Sequence, residues 1–403
     1  METKIKEKTK VMELDHYNFL IDTTNSCQLD CIYCYKGHEK NTQKMDVKKV
    51  WNTVNSFLKS NSQLRSFKFH FMGGEPLIAW SQMRKLNSLA KDYSEKNNLS
   101  FGWGATSNLI LLDEEKKEVF IKEKASIHCS IDGPKKIHNQ NRPYANGRGS
   151  FLDVEKNIPL ALAITPNDTA RVTVTPKSAN NLLEISEFLL DKGFKKVGLF
   201  PVFDMEWTNS EMKIWSNEIA KSMAKFGPDK ITTFVRNRGE REIFSYCGAG
   251  KSLWGIDVEG NLFNCHHLTG NPELVVGKSK EIFPSTIDQL ISKNSLAPKS
   301  QMPSECKICS AKKYCNGNCW SMNFLENGSP TKPHKLSCEM RKLTVTAIEQ
   351  IAFSDKKVNE FTEMEIKNCL IFCDQEYCSC ESCEDRGDCS FRDCTDSCLS
   401  QYI

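Results

Sequence analysis

Apolar residues in the first half of the chain follow two spacings in turn, one typical of strands and one typical of helices. Short apolar or alternating runs that end in Gly, Asn, Asp or Pro predict six strands, at residues 16–23, 66–72, 101–106, 126–132, 171–176 and 197–202. Apolar residues three and four positions apart predict helices in the gaps, for example at 46–60 and 151–163. Because strands that alternate with helices form parallel βαβ units, this half is predicted to be an α/β fold, either a parallel sheet or a partial (β/α)6 barrel. Its ligands are expected at the carboxyl ends of the strands.

The pattern changes after about residue 240, where segments become shorter, Gly and Pro more frequent, and cysteines regularly spaced. We therefore predict three parts: an α/β core over residues 1–235, a second domain organised by metal over 236–345, and a C-terminal extension over 346–403. A helical pattern at 341–363 leads into this extension, which is acidic and rich in cysteine.

Nineteen cysteines in 403 residues are the feature of the composition that bears most on function. The net charge of +3 gives no indication of nucleic acid or an anionic membrane as a partner. No apolar run is long enough to span a bilayer, and the charged N-terminus lacks a secretion signal. A cytoplasmic protein is therefore expected, and in that reducing compartment clustered cysteines are more often metal or iron–sulfur ligands than disulfides.

The first cysteine cluster follows the first predicted strand and contains Cys27, Cys31 and Cys34, spaced C-x3-C-x2-C. Three thiolates on one short loop can hold three irons of a [4Fe–4S] cluster, and the fourth iron is then open to a small chelating molecule. A structural zinc loop that takes His38 as its fourth ligand is the alternative interpretation.

With an aromatic residue, Tyr33, before the last cysteine, this loop resembles the radical S-adenosylmethionine (SAM) enzymes. The resemblance implies that Cys27, Cys31 and Cys34 are catalytic, and that the open iron binds the amino and carboxylate groups of SAM. In that family an electron from the cluster cleaves SAM to methionine and a 5′-deoxyadenosyl radical, which abstracts hydrogen from the substrate.

Further motifs of the same family occur in order at the ends of predicted strands: a Gly-Gly-Glu-Pro turn, an Asn, a Ser-Ile-Asp-Gly segment and a downstream Arg. Each alone is equally consistent with an ordinary turn or strand exit. Together they strengthen the resemblance, which assigns the SAM contacts to Tyr33, Gly73, Gly74, Glu75, Asn108, Ser130, Asp132 and Arg142. Cys129, inside an apolar strand, is instead interpreted as a core residue.

The second cysteine cluster is spaced C-x12-G-x4-C, then C-x2-C-x5-C-x3-C, and ends in a further cysteine. Seven cysteines exceed the need of one tetrahedral zinc, although a paired-zinc domain would also use them. The spacing resembles the SPASM domain of radical SAM enzymes that modify peptides and proteins, and the whole resemblance covers about residues 16–340. It implies two auxiliary [4Fe–4S] clusters, hence three in all: an outer one held by Cys306, Cys309, Cys315 and Cys338, and an inner one held by Cys247, Cys265 and Cys319.

The inner cluster is one ligand short, because residues 248–264 contain no cysteine where fully ligated relatives have one. Either His266 or His267 fills the gap, or the position is open and binds a substrate cysteine thiolate. The open site is favoured, and it would place the thiolate to capture a carbon radical as a thioether. The expected reaction is therefore thioether cross-linking of a ribosomally made, Cys-rich precursor peptide.

Two other functions are weighed against this one. Anaerobic sulfatase maturases, which also contain a SPASM domain, have an Asp base directly after the cysteine that corresponds to Cys265. His266 stands there in this chain and could still accept a proton, so formylglycine formation is an alternative. A non-enzymatic metal-binding or sensor protein is the third interpretation.

The expected partners are the precursor peptide and a low-potential electron donor of the ferredoxin or flavodoxin type. Only about fifteen residues precede the first strand, so leader binding is expected to fall to a separate protein, to the surface of the two domains or to the extension. Residues 369–403 carry a net charge of −6, which leaves +9 on the rest and favours contact between the two. The eight cysteines of this tail are interpreted as a further metal site or as a mimic of the substrate, and a disulfide knot is disfavoured.

Overall fold

Parallel strands followed by helices build the part of the chain that the computed structural model describes: residues 15–38, 41–235, 247–278, 303–315 and 317–354. The strands are β1 (His16–Asp22), β2 (Ser66–Met72), β3 (Ser100–Ser107), β4 (Ser126–Cys129), β5 (Thr169–Val174), β6 (Lys196–Pro201), β7 (Ile231–Thr232), β8 (Leu253–Ile256) and β9 (Leu262–Phe263). The α-helices are α1 (Val47–Ser60), α2 (Trp80–Asn97), α3 (Glu114–Lys122), α4 (Lys135–Asn141), α5 (Phe151–Glu155), α6 (Ile158–Ile164), α7 (Leu182–Asp191), α8 (Asn209–Phe226), α9 (Ser304–Lys307), α10 (Trp320–Asn327) and α11 (Lys335–Ser354). Short 3-10 helices lie at Pro76–Ala79, Pro176–Asn181, His266–Leu268, Pro272–Leu274 and Lys312–Tyr314.

The strands form two sheets, with the orders β4-β3-β2-β1-β8-β9 and β5-β6-β7. Every pair except β8 with β9 is parallel. The two sheets meet at a parallel bridge between Ser130, just after β4, and Arg171 in β5. The predicted α/β fold with a parallel sheet is confirmed, and closure of the strands into a barrel stays a prediction.

Sequence periodicity explains how these elements bury their apolar faces. The Asp46 carboxylate caps α1 by accepting the backbone N–H groups of Lys48 and Lys49. The helix then buries residues at i, i+4 and i+7, such as Val50, Val54 and Phe57. One face of β2 carries Phe67, Phe69 and Phe71, which join this core. The other face carries Lys68 and His70, which are also buried.

Three predicted elements differ from the observed ones. The single helix predicted at 151–163 is wrong: α5 ends at Glu155 and α6 begins at Ile158, because Pro159 has no N–H to continue the ladder. The strand predicted at 126–132 ends at Cys129. The helix predicted at 341–363 begins earlier, at Lys335, and is described as far as Ser354. The Cys-rich tail lies outside the described residues.

The segment after residue 246 is not separate from the first sheet, because β8 pairs in parallel with β1. The turn between β8 and β9 rests on α1. Gly260 in that turn has a φ of +77°, and a Cβ there would lie 2.7 Å from the carbonyl carbon of Lys49. The Thr53 hydroxyl of α1 donates to the Gly260 carbonyl at 2.6 Å. The glycine of the C-x12-G-x4-C spacing is therefore required for this close approach.

Among the helices of the described ranges, none combines the length and the apolar character needed to cross a bilayer.

Candidate active site

A cavity of about 780 Å3 opens at the carboxyl ends of the strands. Its size falls within the range of cofactor and ligand sites, which is about 300–1,000 Å3. Six of the predicted metal ligands line it, three from each cluster: Cys27, Cys31, Cys34, Cys247, Cys265 and Cys319. Residues that are more than two hundred positions apart in the sequence thus face one space.

The loop that carries the first three cysteines is held against the Gly-Gly-Glu-Pro turn after β2. The backbone N–H of Gly74 donates to the Thr24 carbonyl at 2.8 Å, and that of Glu75 donates to the Ser26 carbonyl at 2.9 Å. A Cβ would lie 2.5 Å from the Thr24 oxygen at Gly73 and 2.1 Å from the Ser26 oxygen at Gly74. Both glycines line the cavity, and both are needed so that the turn can touch the cysteine loop.

The Glu75 carboxylate fixes the other side of this turn. It accepts hydrogen bonds from the Ser107 hydroxyl at 2.8 Å, the Asn108 backbone N–H at 2.9 Å and the Leu77 backbone N–H at 3.1 Å. Burial nevertheless outweighs these bonds and raises the pKa of Glu75 from 4.5 to about 7. Glu75 therefore joins the end of β2 to the end of β3, where Asn108 lines the cavity with its amide nitrogen 3.8 Å from the Cys27 sulfur.

Asp132 lies behind the cavity wall and positions two residues that face the cavity. It is fully buried, and its carboxylate accepts hydrogen bonds from the Tyr33 hydroxyl and, at 3.0 Å, from the Arg142 guanidinium. The Arg142 guanidinium also lies over the Tyr33 ring, 5.3 Å from its centroid. Asp132 is not among the residues that line the cavity, whereas Tyr33, Ser130 and Arg142 are.

The residues around the first cysteine loop fit an iron–sulfur cluster with bound SAM. Three thiols face the cavity from one loop, which is the donor set that leaves one iron open. The Nε–H of Arg142 is buried and has no hydrogen-bond partner among the residues that the structure describes, so a donor is available to an anionic or hydroxyl group of a cofactor.

Cys247, Cys265 and Cys319 line the same cavity, and one hydroxyl links the last two of them. The Ser321 oxygen lies 3.0 Å from the Cys319 sulfur and 3.6 Å from the Cys265 sulfur. Burial raises the pKa of the Cys265 thiol, and so do the nearby Cys319 and Cys247 sulfurs. A metal would reverse this effect, because thiols that coordinate a metal are deprotonated.

His266 does not stand alone at the cavity wall. Its Nε2 lies 3.3 Å from the Asp22 carboxylate and 3.0 Å from the Tyr35 hydroxyl. Lys36 forms an ion pair with the same carboxylate and donates to the Thr269 hydroxyl. Burial would raise the pKa of Asp22, but the Lys36 charge and the His266 bond outweigh it and lower that pKa to about 2.

The pairing with Asp22 determines which ring nitrogen of His266 carries the proton. An ionised carboxylate can only accept, so Nε2 must bear the hydrogen in this bond. Burial lowers the pKa of His266 and favours the neutral ring, although Asp22 opposes the shift. The lone pair of the neutral ring is then on Nδ1. His267 also lines the cavity, stacked on the Tyr35 ring at 5.5 Å between centroids.

Asp22, Tyr35 and Lys36 are functional candidates that the sequence motifs missed. The signal available was position: Asp22 ends the first strand, and polar residues at carboxyl ends of parallel strands face the ligand site. Its partner His266 could not be identified from the sequence, because the two residues are 244 positions apart.

The remaining four cysteines of the second cluster form a separate site. Cys306, Cys309, Cys315 and Cys338 all line one small pocket of about 30 Å3. Burial and the three neighbouring sulfurs raise the pKa of the Cys306 thiol to about 12. Four sulfurs around one pocket match the ligand number of a [4Fe–4S] cluster. In the parts of the chain described, no three Cys, His, Asp or Glu side chains are grouped tightly enough for a single metal ion.

Comparison with known proteins agrees with this geometry. Residues 21–189 match the family described as the Radical SAM superfamily. The chain is 26% identical over 255 residues to an uncharacterized protein of Methanocaldococcus jannaschii, covering 63% of this chain and 86% of that protein. It is 23% identical over 337 residues to a cysteine-type anaerobic sulfatase-maturating enzyme of Clostridium perfringens, covering 73% and 86%.

Solved structures share the fold. The anSMEcpe structure with bound AdoMet has a TM-score of 0.68 and 18% identity, covering 86% of this chain and 99% of that chain. Streptococcus suis SuiB bound to its precursor peptide SuiA has a TM-score of 0.54 and 16% identity, covering 81% and 76%. Residues 21–189 thus match a radical SAM domain, a family whose members use SAM and an iron–sulfur cluster, and the chain is related in sequence to the anaerobic sulfatase maturases.

Proposed function

Because residues 21–189 form a radical SAM domain, we propose that this chain is a peptide maturase that forms thioether cross-links in a ribosomally made, Cys-rich precursor. The observation that carries the proposal is the cavity shared by Cys27, Cys31 and Cys34 on one side and Cys247, Cys265 and Cys319 on the other. A radical generated at the first group would meet a thiolate held at the second within one enclosed space. The solved neighbours with bound peptides, SuiB with SuiA and anSMEcpe with Cp18Cys, support a peptide substrate.

In this proposal the first three cysteines hold a [4Fe–4S] cluster, and the glycine turn, Asn108, Ser130 and Arg142 contact SAM. When bound, the cluster and SAM would supply the carbon radical chemistry that removes a hydrogen atom from the substrate. Glu75 and Asp132 act as positioning residues, since Glu75 joins the turn after β2 to the end of β3 and Asp132 holds the Tyr33–Arg142 pair. Cys306, Cys309, Cys315 and Cys338 hold the outer of two auxiliary clusters.

The inner site keeps one position for the substrate sulfur. Nε2 of His266 is engaged by Asp22 and Tyr35, so a histidine ligand in place of the substrate sulfur would have to use Nδ1 of His266 or a nitrogen of His267. Joining a substrate sulfur to a substrate carbon releases one hydrogen atom, one proton and one electron. The hydrogen atom is taken by the radical and the proton by Nδ1 of His266. The electron requires a carrier of the ferredoxin or flavodoxin type as its acceptor.

Anaerobic purification and co-expression with Cys-rich candidate peptides test this proposal. We expect a brown protein that cleaves SAM to 5′-deoxyadenosine with a reductant, and a peptide that loses a pair of hydrogens for each cysteine that becomes resistant to thiol alkylation. The Cys31→Ala variant is the inactive control. A colourless zinc protein without SAM cleavage would contradict the proposal.

Formylglycine formation is the second candidate, and the position of His266 favours it. The residue directly after Cys265 is buried and paired with a carboxylate, and its Nδ1 lone pair is a proton acceptor beside the cavity. An aldehyde in a co-expressed sulfatase peptide, detected with a hydrazide probe, would select this function. The proposal of a thioether-forming maturase includes three further points. A separate protein binds the leader, the domains meet near residues 235 and 345, and the tail binds metal or mimics the substrate.

A further inference from the structure

Asn318 lies between the two auxiliary sites, with its backbone joined to one and its side chain directed at the other. It precedes Cys319, which faces the large cavity, and it has a left-handed φ of +66°. This conformation is uncommon for a residue other than glycine, and Asn tolerates it better than most. The carboxamide of Asn318 reaches the sulfurs of Cys338 and Cys315, which both line the four-cysteine pocket.

The hydrogen bonds of this carboxamide determine its orientation. The Ser337 hydroxyl donates to Oδ1 at 3.1 Å, and the Arg341 guanidinium donates to the same oxygen at 3.2 Å. Because Arg341 is a donor only, the oxygen must face it and the NH2 group must face the other way. Nδ2 then donates to the Cys338 sulfur at 3.3 Å, with the His334 carbonyl as a second acceptor at 3.5 Å.

The oxygen side of Asn318 is itself rigidly held. Arg341 is buried, donates to the Tyr314 carbonyl at 2.9 Å and to the Phe234 carbonyl, and lines both the pocket and the large cavity. An amide N–H that points at a ligand sulfur withdraws charge from it and favours the reduced, more negative form of a cluster. Asn318 therefore offers its donor to Cys338 in a geometry that the surrounding structure maintains.

We propose that Asn318 is a positioning residue that raises the reduction potential of the cluster in the outer pocket. The inference rests on the proposed function, in which Cys306, Cys309, Cys315 and Cys338 hold that cluster. Loss of the donor is expected to lower the ratio of reduced to oxidised outer cluster at a fixed potential about tenfold, a shift of about 59 mV for one electron.

The experiment is a redox titration followed by electron paramagnetic resonance in a full-length chain whose Cys27, Cys31 and Cys34 are replaced by Ala, so that the auxiliary signals are seen alone. Asn318→Gly removes the side chain and keeps the left-handed backbone, because glycine adopts a positive φ without strain. Asn318→Asp keeps the oxygen that accepts from Arg341 and replaces the donor by a charge. Asn327→Asp is the matched control, since Asn327 is half-buried and contacts Lys332 and Glu326 rather than a cysteine.

The outer signal is identified as the one abolished by Cys306→Ser. We expect its potential to fall by about 59 mV, a tenfold change in the ratio of reduced to oxidised cluster, in Asn318→Gly and by at least as much in Asn318→Asp, with no shift in Asn327→Asp. Iron per chain and the circular dichroism spectrum verify that each variant is loaded and folded. An unmoved potential with intact iron overturns this inference alone. If the outer cysteines hold zinc instead of iron, the inference and the three-cluster part of the proposed function both fall.

Discussion

Replacing Asp22 by Asn tests whether one buried carboxylate connects the two halves of the site. Asp22 ends β1, is 2% exposed, and contacts both Lys36 of the first cysteine loop and His266 beside Cys265. Its pKa is lowered from 3.8 to about 2 by Lys36 and His266 against the effect of burial. That difference corresponds to about 2 kcal/mol of folding stability at neutral pH. Because the folded pKa is depressed, this stability is present above pH 3.8 and is lost as the pH falls toward 2.

Anaerobic thermal unfolding followed by circular dichroism measures the first consequence. We expect Asp22→Asn to lower the Tm by roughly 4 °C. Asp153→Asn is the control, because Asp153 pairs with Arg148 at 2.8 Å in a more exposed setting and should cost less than about 1 kcal/mol. The second consequence is chemical: without the carboxylate, Nε2 of His266 no longer has to carry the proton, and the peptide product should fall at least about tenfold while 5′-deoxyadenosine still forms. Equal Tm values for Asp22→Asn and the parent, together with unchanged product, would refute the reasoning.

Three further predictions follow from other parts of the structure. The folded pKa of Glu75 is raised from 4.5 to about 7, so the parent should lose about 3 kcal/mol of folding stability as the pH rises from below 4.5 through 7. In unfolding curves taken at several pH values, Glu75→Gln should abolish this dependence of stability on pH. If the dependence persists in the variant, a group other than Glu75 causes it. Gly260→Ala should lower the Tm of the protein more than Gly270→Ala does. Both glycines have a positive φ, but only Gly260 has backbone within 4 Å of the added Cβ. Equal Tm values for the two variants would contradict the packing of this turn on α1. Deleting residues 369–403 should lower the metal content per chain if the tail binds metal, whereas unchanged metal with altered peptide turnover would support the substrate-mimic interpretation.

The strands were predictable because each apolar or alternating run is followed by a loop rich in Gly, Asn, Asp or Pro. Five of the six predicted runs coincide with β1, β2, β3, β5 and β6 to within about two residues. The helix predicted at 151–163 failed at a local feature, Pro159, whose effect on the backbone outweighs the apolar periodicity around it. The pairing of β8 with β1 could not be predicted, because β8 has four residues and a short apolar run of that kind has no periodicity to identify its partner.

The candidate site divides in the same way between local and non-local information. Motif spacing was enough to predict the cysteines as cluster ligands, because cysteines on one loop lie close together whatever the rest of the chain does. The glycine turn was expected to approach a ligand, and the structure shows what else it must approach, the carbonyl groups of Thr24 and Ser26. Asp132 does not line the cavity, because its carboxylate accepts hydrogen bonds from Tyr33 and Arg142, and its contact with SAM stays a prediction.

The common cavity depends on how the chain after residue 246 packs beside β1 as well as on the cysteine motifs. The β1 strand leads into the loop of Cys27, and β8, which follows Cys247, lies beside it with Ile21 opposite Ile256. Cys247 precedes β8 whereas Cys27 follows β1, so the parallel pairing alone does not bring them to one end of the sheet. The chain also has to turn back in β9, which is antiparallel to β8 and leads to Cys265. Gly255 of β8 then leaves room for the backbone of the next segment, since a Cβ there would lie 2.9 Å from the Cα of His266. That space allows His266 to reach Asp22. A larger residue at position 255 should therefore separate His266 from Asp22 while all the cysteines remain in place, which makes Gly255→Ala the variant that distinguishes metal binding from the geometry of the shared site.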